Sequence, residues 1–374
     1  MRIALDLLWG IAAPVLSLGQ LATGAVLGGL GIRLAGERPT GGIGILGLLW
    51  TVGIGLAVLR APADPVSWTF AAHYVGPLVL AATVAVERPD PRDLVRPALI
   101  AMGGAIVLGA VFGDPALVEL HGWSRFVGLY GNVHTPAAML AVAAPVAAVF
   151  TATATQPVDR WIGRVATGLA VVALGATSVR TAWIWALVAS ATTLVALRRP
   201  LAGAAVGIVG GGLAVASGRL ASLALAALGT APEGGWEKLG SSRVEIWTHI
   251  WADFTTASPT TWLVGDGLGA HLQAYRHFEP HSEVLSVLLQ LGVLGLIGAV
   301  ALFGAVGGGL LRANWRRADP WTALALGVWV GAAVTAPLSN DLVSRTTASW
   351  WAWSLWAGAL AASRAPGRPP PPAA

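Results

Sequence analysis

Apolar runs of membrane-spanning length recur almost from one end of this chain to the other, and they leave few folds open. A helix needs roughly 20 apolar residues to cross the hydrocarbon of a bilayer, and about eleven segments qualify. They are residues 3–33, 41–60, 66–86, 96–113, 128–152, 161–178, 181–197, 200–217, 283–311, 320–339 and 348–363. The first is long enough to kink at Pro14. Hydrophobic residues make up 55% of the 374 and charged residues only 11%, with a mean hydropathy of +0.70, well outside the soluble globular range. Backbone groups in lipid must pair within a segment or around a closed barrel, and these unbroken runs lack the alternation of barrel strands. The expected fold is therefore all-α, a polytopic integral membrane protein with roughly 10 to 12 transmembrane helices. Residues 1–217 form a first group of membrane helices, 218–282 a large loop and 283–363 a second group; the Pro-rich 364–374 reads as a disordered cytoplasmic tail.

Orientation follows from the arginines, because short cytoplasmic loops collect positive charge. One set of alternate loops carries Arg33 and Arg38; Arg88, Arg92 and Arg96; Arg160 and Arg164; Arg198 and Arg199; Arg312, Arg316 and Arg317; and Arg364 and Arg368. The other set has Arg60, Arg125, Arg180 and Arg345, and the basic residues Arg219, Lys238, Arg243 and Arg276 of the long loop. The long loop is thus expected outside and the C-terminus inside, in the cytoplasmic (inner) membrane, with the side of the N-terminus depending on the helix count. The N-terminus shows no small-residue cleavage pattern and reads as a retained helix. The net charge of +5 and pI near 10.6 come mostly from inner loops, where membrane lipids are the ordinary partner, and no nucleic-acid reading survives. There is no cysteine, which removes disulfides, thiolate nucleophiles and zinc–thiolate sites. Most of the 18 tryptophans are accounted for as interfacial anchors and packing.

Chemistry is expected in the polar loop. His271, His277 and His281 lie close together, with Glu279 and Glu283 flanking the last, but Pro280 opposes the continuous helix that a metal-binding histidine pair needs, so no metal site is assigned. Gly265, Gly267 and Gly269 make a G-x-G-x-G run with no strand before it; these glycines are expected to shape a turn that closes the loop against the membrane domain. Three features remain. Arg180 lies in the short outer turn Thr177-Ser178-Val179-Arg180-Thr181-Ala182-Trp183, where the ordinary reading is an interfacial arginine snorkelling to water. Arg243 opens an amphipathic stretch with Trp247, Ile250 and Trp251 at helical spacing, and a solvated charge or a pair with Glu245 would explain it equally well. His281 stands where the loop re-enters the bilayer, commonly the place of a polar cap.

Together these features resemble one family. His281-Ser282, nine residues, and Gly292-Val293-Leu294-Gly295 look like the H-[NSQ]-x9-G-x-x-G signature of the O-antigen ligase and polymerase superfamily. The S-x-R-x-A-W turn at Arg180, the S-S-R-x-x-x-W opening at Arg243, and Pro259 leading to Gly265–Gly269 appear in the matching order over residues 128–311. The chain departs from the pattern at Gln290, where many members have Glu, at Leu296 and Ile297 after Gly295, and at Gly131-Asn132-Val133-His134, where relatives read Pro-Asn. The resemblance implies a GT-C-like fold and transfer of a glycan from a polyprenyl (undecaprenyl) diphosphate carrier to an acceptor hydroxyl, with inversion and without a metal or other cofactor. Its partners would be the lipid-linked glycan donor and an acceptor, lipid A core for a ligase or another glycan for a polymerase.

The candidate residues suit that task. A guanidinium stays protonated and its planar fork matches diphosphate oxygens, which makes Arg180 and Arg243 the candidates for holding the leaving group. A histidine with an ordinary pKa near 6.5 is the natural general base for the acceptor hydroxyl, which makes His281 the candidate catalytic residue. A transporter or flippase for a lipid-linked glycan is the alternative from another class. It would call for internal repeats and ionisable groups in mid-membrane, for which the candidates are few, notably Asp6 and His73. A structural scaffold would leave the ordered motifs unexplained.

Overall fold

The computed structural model describes residues 65–112, 134–177, 179–208, 243–269, 280–339 and 347–364, with scattered positions between 46 and 57. Every regular element among the described residues is a helix, in line with the all-α expectation. In chain order these are α1 (Pro65–Glu87), α2 (Pro91–Phe112), α3 (His134–Thr153), α4 (Pro157–Thr177), α5 (Arg180–Ala196), α6 (Arg243–Thr256), α7 (Pro259–Val264), α8 (Glu283–Arg316), α9 (Pro320–Thr335) and α10 (Thr347–Arg364). Residues 200–208 are also helical. Among the described residues, three helices can cross a membrane by length and composition: Pro91–Val111 within α2, all of α3, and α8; Tyr74–Glu87 and α9 are shorter apolar helices. The expected segment 3–33, the second half of the expected segment 200–217 (residues 209–217), and the tail beyond Arg364 lie outside the described residues.

Local chemistry sets the helix starts. Pro65, Pro91, Pro157, Pro259 and Pro320 each open a helix, where the missing N–H is one that would go unpaired anyway. The Asp319 carboxylate caps α9 by accepting from the Trp321 and Thr322 N–H groups, both at 3.0 Å.

Small residues bring the helices together, as in membrane bundles generally. Along α5 and α9, Gly331 lies against Trp185 and Gly327 against the Ala189 carbonyl and Thr193. The Trp185 indole N–H donates to the Val328 carbonyl at 3.1 Å. The pair is therefore antiparallel, and the same register brings Arg180, at the start of α5, level with Ala336, just past the end of α9. Gly163 of α4 packs on Thr151 of α3, while α1 and α10 run in the same direction with Gly76 on Trp350 and Gly358 on Val84.

These registers sort the charges to two ends. Arg88, Arg92 and Arg96 gather with Arg160 and Arg164, and the Arg96 side chain pairs with Asp159 at 3.4 Å. Asn314 donates to the Ala196 carbonyl at 3.5 Å, which brings Arg312, Arg316 and Arg317 to the same end as Arg198 and Arg199. Opposite them lie the starts of α3, α5 and α8 and the end of α9. Arg180 and Arg243 belong to that second end.

One expected span is not a single rod. At Gly292, α8 takes φ 66° and ψ −169°, which breaks the helix after its first turns. Two anchors show how far the direction changes. Phe303 stacks on Trp329 at 4.8 Å, and the Glu283 N–H donates to the Ala336 carbonyl at 2.8 Å. A straight helix from residue 303 back to 283 would climb about 30 Å, whereas α9 rises only about 10 Å between 329 and 336. The stretch 283–291 must therefore turn away from the rest of α8 and lie against the bundle, and Glu283 and Ser286–Gly292 are all buried.

Candidate active site

The loop–membrane junction is built around that break. In an unbroken helix the Leu289 and Gln290 carbonyls would accept from residues 293 and 294. The turn at Gly292 releases them, and they accept instead from the Asp266 N–H at 2.9 Å and the Gly267 N–H at 3.2 Å. Gly265, Gly267 and Gly269 supply the left-handed backbone this needs, with φ of 72°, 99° and 78°. A Cβ at Gly265 would strike the backbone of Gln290, and one at Gly292 the backbone of Leu263, so the two strands of the contact meet glycine to backbone. The expected closing turn is thus present. The Gln290 side chain completes it: its oxygen accepts from the Gly269 N–H at 3.2 Å, while its amide N–H groups donate to the Tyr74 hydroxyl at 3.0 Å and the Ser286 carbonyl at 3.1 Å. A carboxylate here would lack those donors, which gives the departure at Gln290 a physical reason.

His281 sits just before this buried stretch. Ser282 caps the helix by accepting from the Leu285 N–H at 3.4 Å, and the Glu283 N–H reaches both Ala336 at 2.8 Å and Ser339 at 3.1 Å. His281 itself is left-handed, with φ 48°, a conformation that costs a non-glycine residue about 1 kcal/mol or more. Arg243 is the first residue of α6; its Nη1 donates to the Leu338 carbonyl at 2.6 Å. One turn further on, the Trp247 indole donates to the Pro280 carbonyl at 2.7 Å. These two bonds fasten α6 to Pro280, the residue before His281, and to the turn that follows α9. They bring the guanidinium close enough to act on the imidazole charge: burial first, then Arg243, lower the His281 pKa from 6.5 to about 4. The expectation of an ordinary pKa near 6.5 is thereby corrected. His281 is neutral at physiological pH, with its lone pair free to accept a proton but with little intrinsic drive to keep it.

Arg243 and His281 are thus brought together. Arg180 stands at the same end of the bundle, exposed, as the first residue of α5. His271, His277, Glu279, Arg219, Lys238, Arg276 and Asp6 lie outside the described residues, and His73 falls within α1. Sequence reasoning missed two features of the site. His134, the first residue of α3, packs its ring on that of His281, with centroids 5.3 Å apart and planes tilted by 43°. Glu283, Ser286 and Gln290 form a buried polar stripe. Their spacing of three and four residues is helical and was a readable signal, while nothing in the sequence marks His134 as a neighbour of His281. Neither a protein-family model nor a curated protein sequence matches the chain. The functional reading therefore stands on this geometry and on the resemblance of the motifs.

Proposed function

We propose that this protein is a membrane glycosyltransferase. It moves a glycan from a polyprenyl diphosphate carrier to an acceptor hydroxyl, as O-antigen ligases and polymerases do. The observation that carries the reading is the fixed placement of Arg243 beside a neutral, half-buried His281, with Arg180 at the same end of the bundle. A diphosphate leaving group gains negative charge as the glycosidic bond breaks, and guanidinium groups already in place stabilise that charge. The acceptor oxygen attacks the anomeric carbon from the opposite side, which inverts its configuration, and His281 takes the hydroxyl proton. Bound diphosphate also offsets the positive field of Arg243, which makes His281 a stronger base only once the donor is in place. The guanidinium groups occupy the role that a metal cation plays in other phosphate-handling transferases.

On this reading the whole chain has about eleven transmembrane helices in a GT-C-like arrangement. The arginine-rich end faces the cytoplasm and the end with Arg180, Arg243 and His281 faces out from the inner membrane. Ligase and polymerase differ only in acceptor, a lipid-anchored core or a growing glycan. The test is transfer by purified protein in vesicles supplied with glycan-linked polyprenyl diphosphate and candidate acceptors, with chelator present. Coupled appearance of glycosylated acceptor and free polyprenyl diphosphate supports the reading. Movement of intact donor across the bilayer without bond cleavage would favour a flippase instead.

A further inference from the structure

His134 takes no part in the chemistry assigned so far, although it is the aromatic neighbour of His281. With ring centroids 5.3 Å apart and planes tilted by 43°, the two imidazoles lie within reach of one bridging water. The ring is carried at the head of a helix whose residues from Pro136 to Ala147 are all buried, so its position is firmly held. Arg243 on α6 acts on the His281 charge; at the same end stand Arg180 at the start of α5, Glu245 and His249 on α6, Asp266 after α7 and Glu283 at the start of α8. Among the described residues, the facing ends of α2, α4, α9 and α10 bring no titratable side chain, while α1 carries His73 and Tyr74, the latter bonded to Gln290.

The chemistry leaves a proton to be placed. As the acceptor oxygen bonds to the anomeric carbon, its O–H bond breaks and the proton passes to His281. The carbon–oxygen bond to diphosphate breaks with its electron pair going to the phosphate oxygen. His281 is then cationic beside Arg243, in a place where burial disfavours charge, and it must give the proton up before the next turnover.

The geometry points to His134 as the group that receives this proton from His281, the two imidazoles acting as a relay toward the outer aqueous phase. His134 is a positioning residue acting through His281. The inference rests on the transfer reaction proposed above, but the pairing beneath it can be tested without that reaction. In protein labelled with ¹⁵N-histidine in nanodiscs, with neither donor nor acceptor, interacting imidazoles titrate in coupled steps. His134→Gln should then alter the titration of His281, and His281→Gln that of His134. Curves that are independent and unaltered by the partner substitution would overturn the pairing whatever the protein catalyses. In the transfer assay, His134→Gln and His134→Ala should lose about 10- to 100-fold in rate. The acid limb of the pH profile should move, and free imidazole should restore part of the His134→Ala activity. A wild-type rate and profile, or a loss that leaves the profile unchanged and that imidazole does not restore, overturns the relay. Absence of transfer by the wild-type protein would overturn the relay together with the reaction, leaving the titration to report on the pairing alone.

Discussion

At the scale of single residues, charge and geometry make separable demands on the two arginines. A guanidinium gripping diphosphate with paired hydrogen bonds is not replaced by an ammonium, whereas a snorkelling interfacial cation is. Arg243→Lys and Arg180→Lys should therefore both impair transfer, and the alanine variants should impair it more. The double alanine variant should lose less than the product of the single losses, because both act on one leaving group. Full activity in both lysine variants would reject the clamp. His281 carries a pH signature of its own. The unfolded chain protonates it near 6.5 and the folded one only near 4, so between those values the unfolded state binds the extra proton. Its contribution to stability is complete above pH 6.5 and declines as pH falls toward 4, with a slope of at most about 1.4 kcal/mol per pH unit. Thermal melts across that range should show the decline in wild type and a flatter response in His281→Gln; equal slopes would contradict the neutral, half-buried imidazole. These residue types and their order were legible in the sequence. The pKa was not, since it depends first on how packing buries His281 and then on Arg243, which the Leu338 carbonyl helps hold in place.

Among the elements, α8 is the one whose continuity the apolar pattern misstates. Gly292, Gly295, Gly298 and Gly304 stand in one hydrophobic run and look alike as sequence. Only Gly292 has a left-handed φ and presses on the backbone of Leu263. Gly292→Ala should cost at least about 2 kcal/mol, through the left-handed conformation and the forced separation of α7 from α8. Gly304→Ala meets nothing within 4 Å and should be close to neutral. Comparable melting temperatures for the two variants would argue against the break. The helix starts, by contrast, were written locally: Pro65, Pro157 and Pro320 each begin an element within a few residues of where its apolar run begins. What escaped was the contact between His134 at the head of α3 and His281 just before α8, residues far apart in the chain and brought together only by packing.

For the whole molecule, Arg88, Arg92, Arg96, Arg160 and Arg164 among the described residues gather at one end, and Arg180, Arg243 and His281 stand at the other. The absence of native cysteine makes its sidedness simple to measure. Single cysteines at Ser222 and Thr261 should react with an impermeant maleimide applied from outside, and one at Gln156 only after permeabilisation; the reverse pattern would overturn both topology and mechanism. The central claim is that the outer end performs glycan transfer through His281. Its most direct test is the single-turnover rate from a defined glycan–polyprenyl diphosphate donor in proteoliposomes, comparing wild type with His281→Ala at matched protein level and insertion. The account predicts a loss of about 10²- to 10⁴-fold in the variant, as for removal of a general base. A wild-type rate in His281→Ala would contradict it.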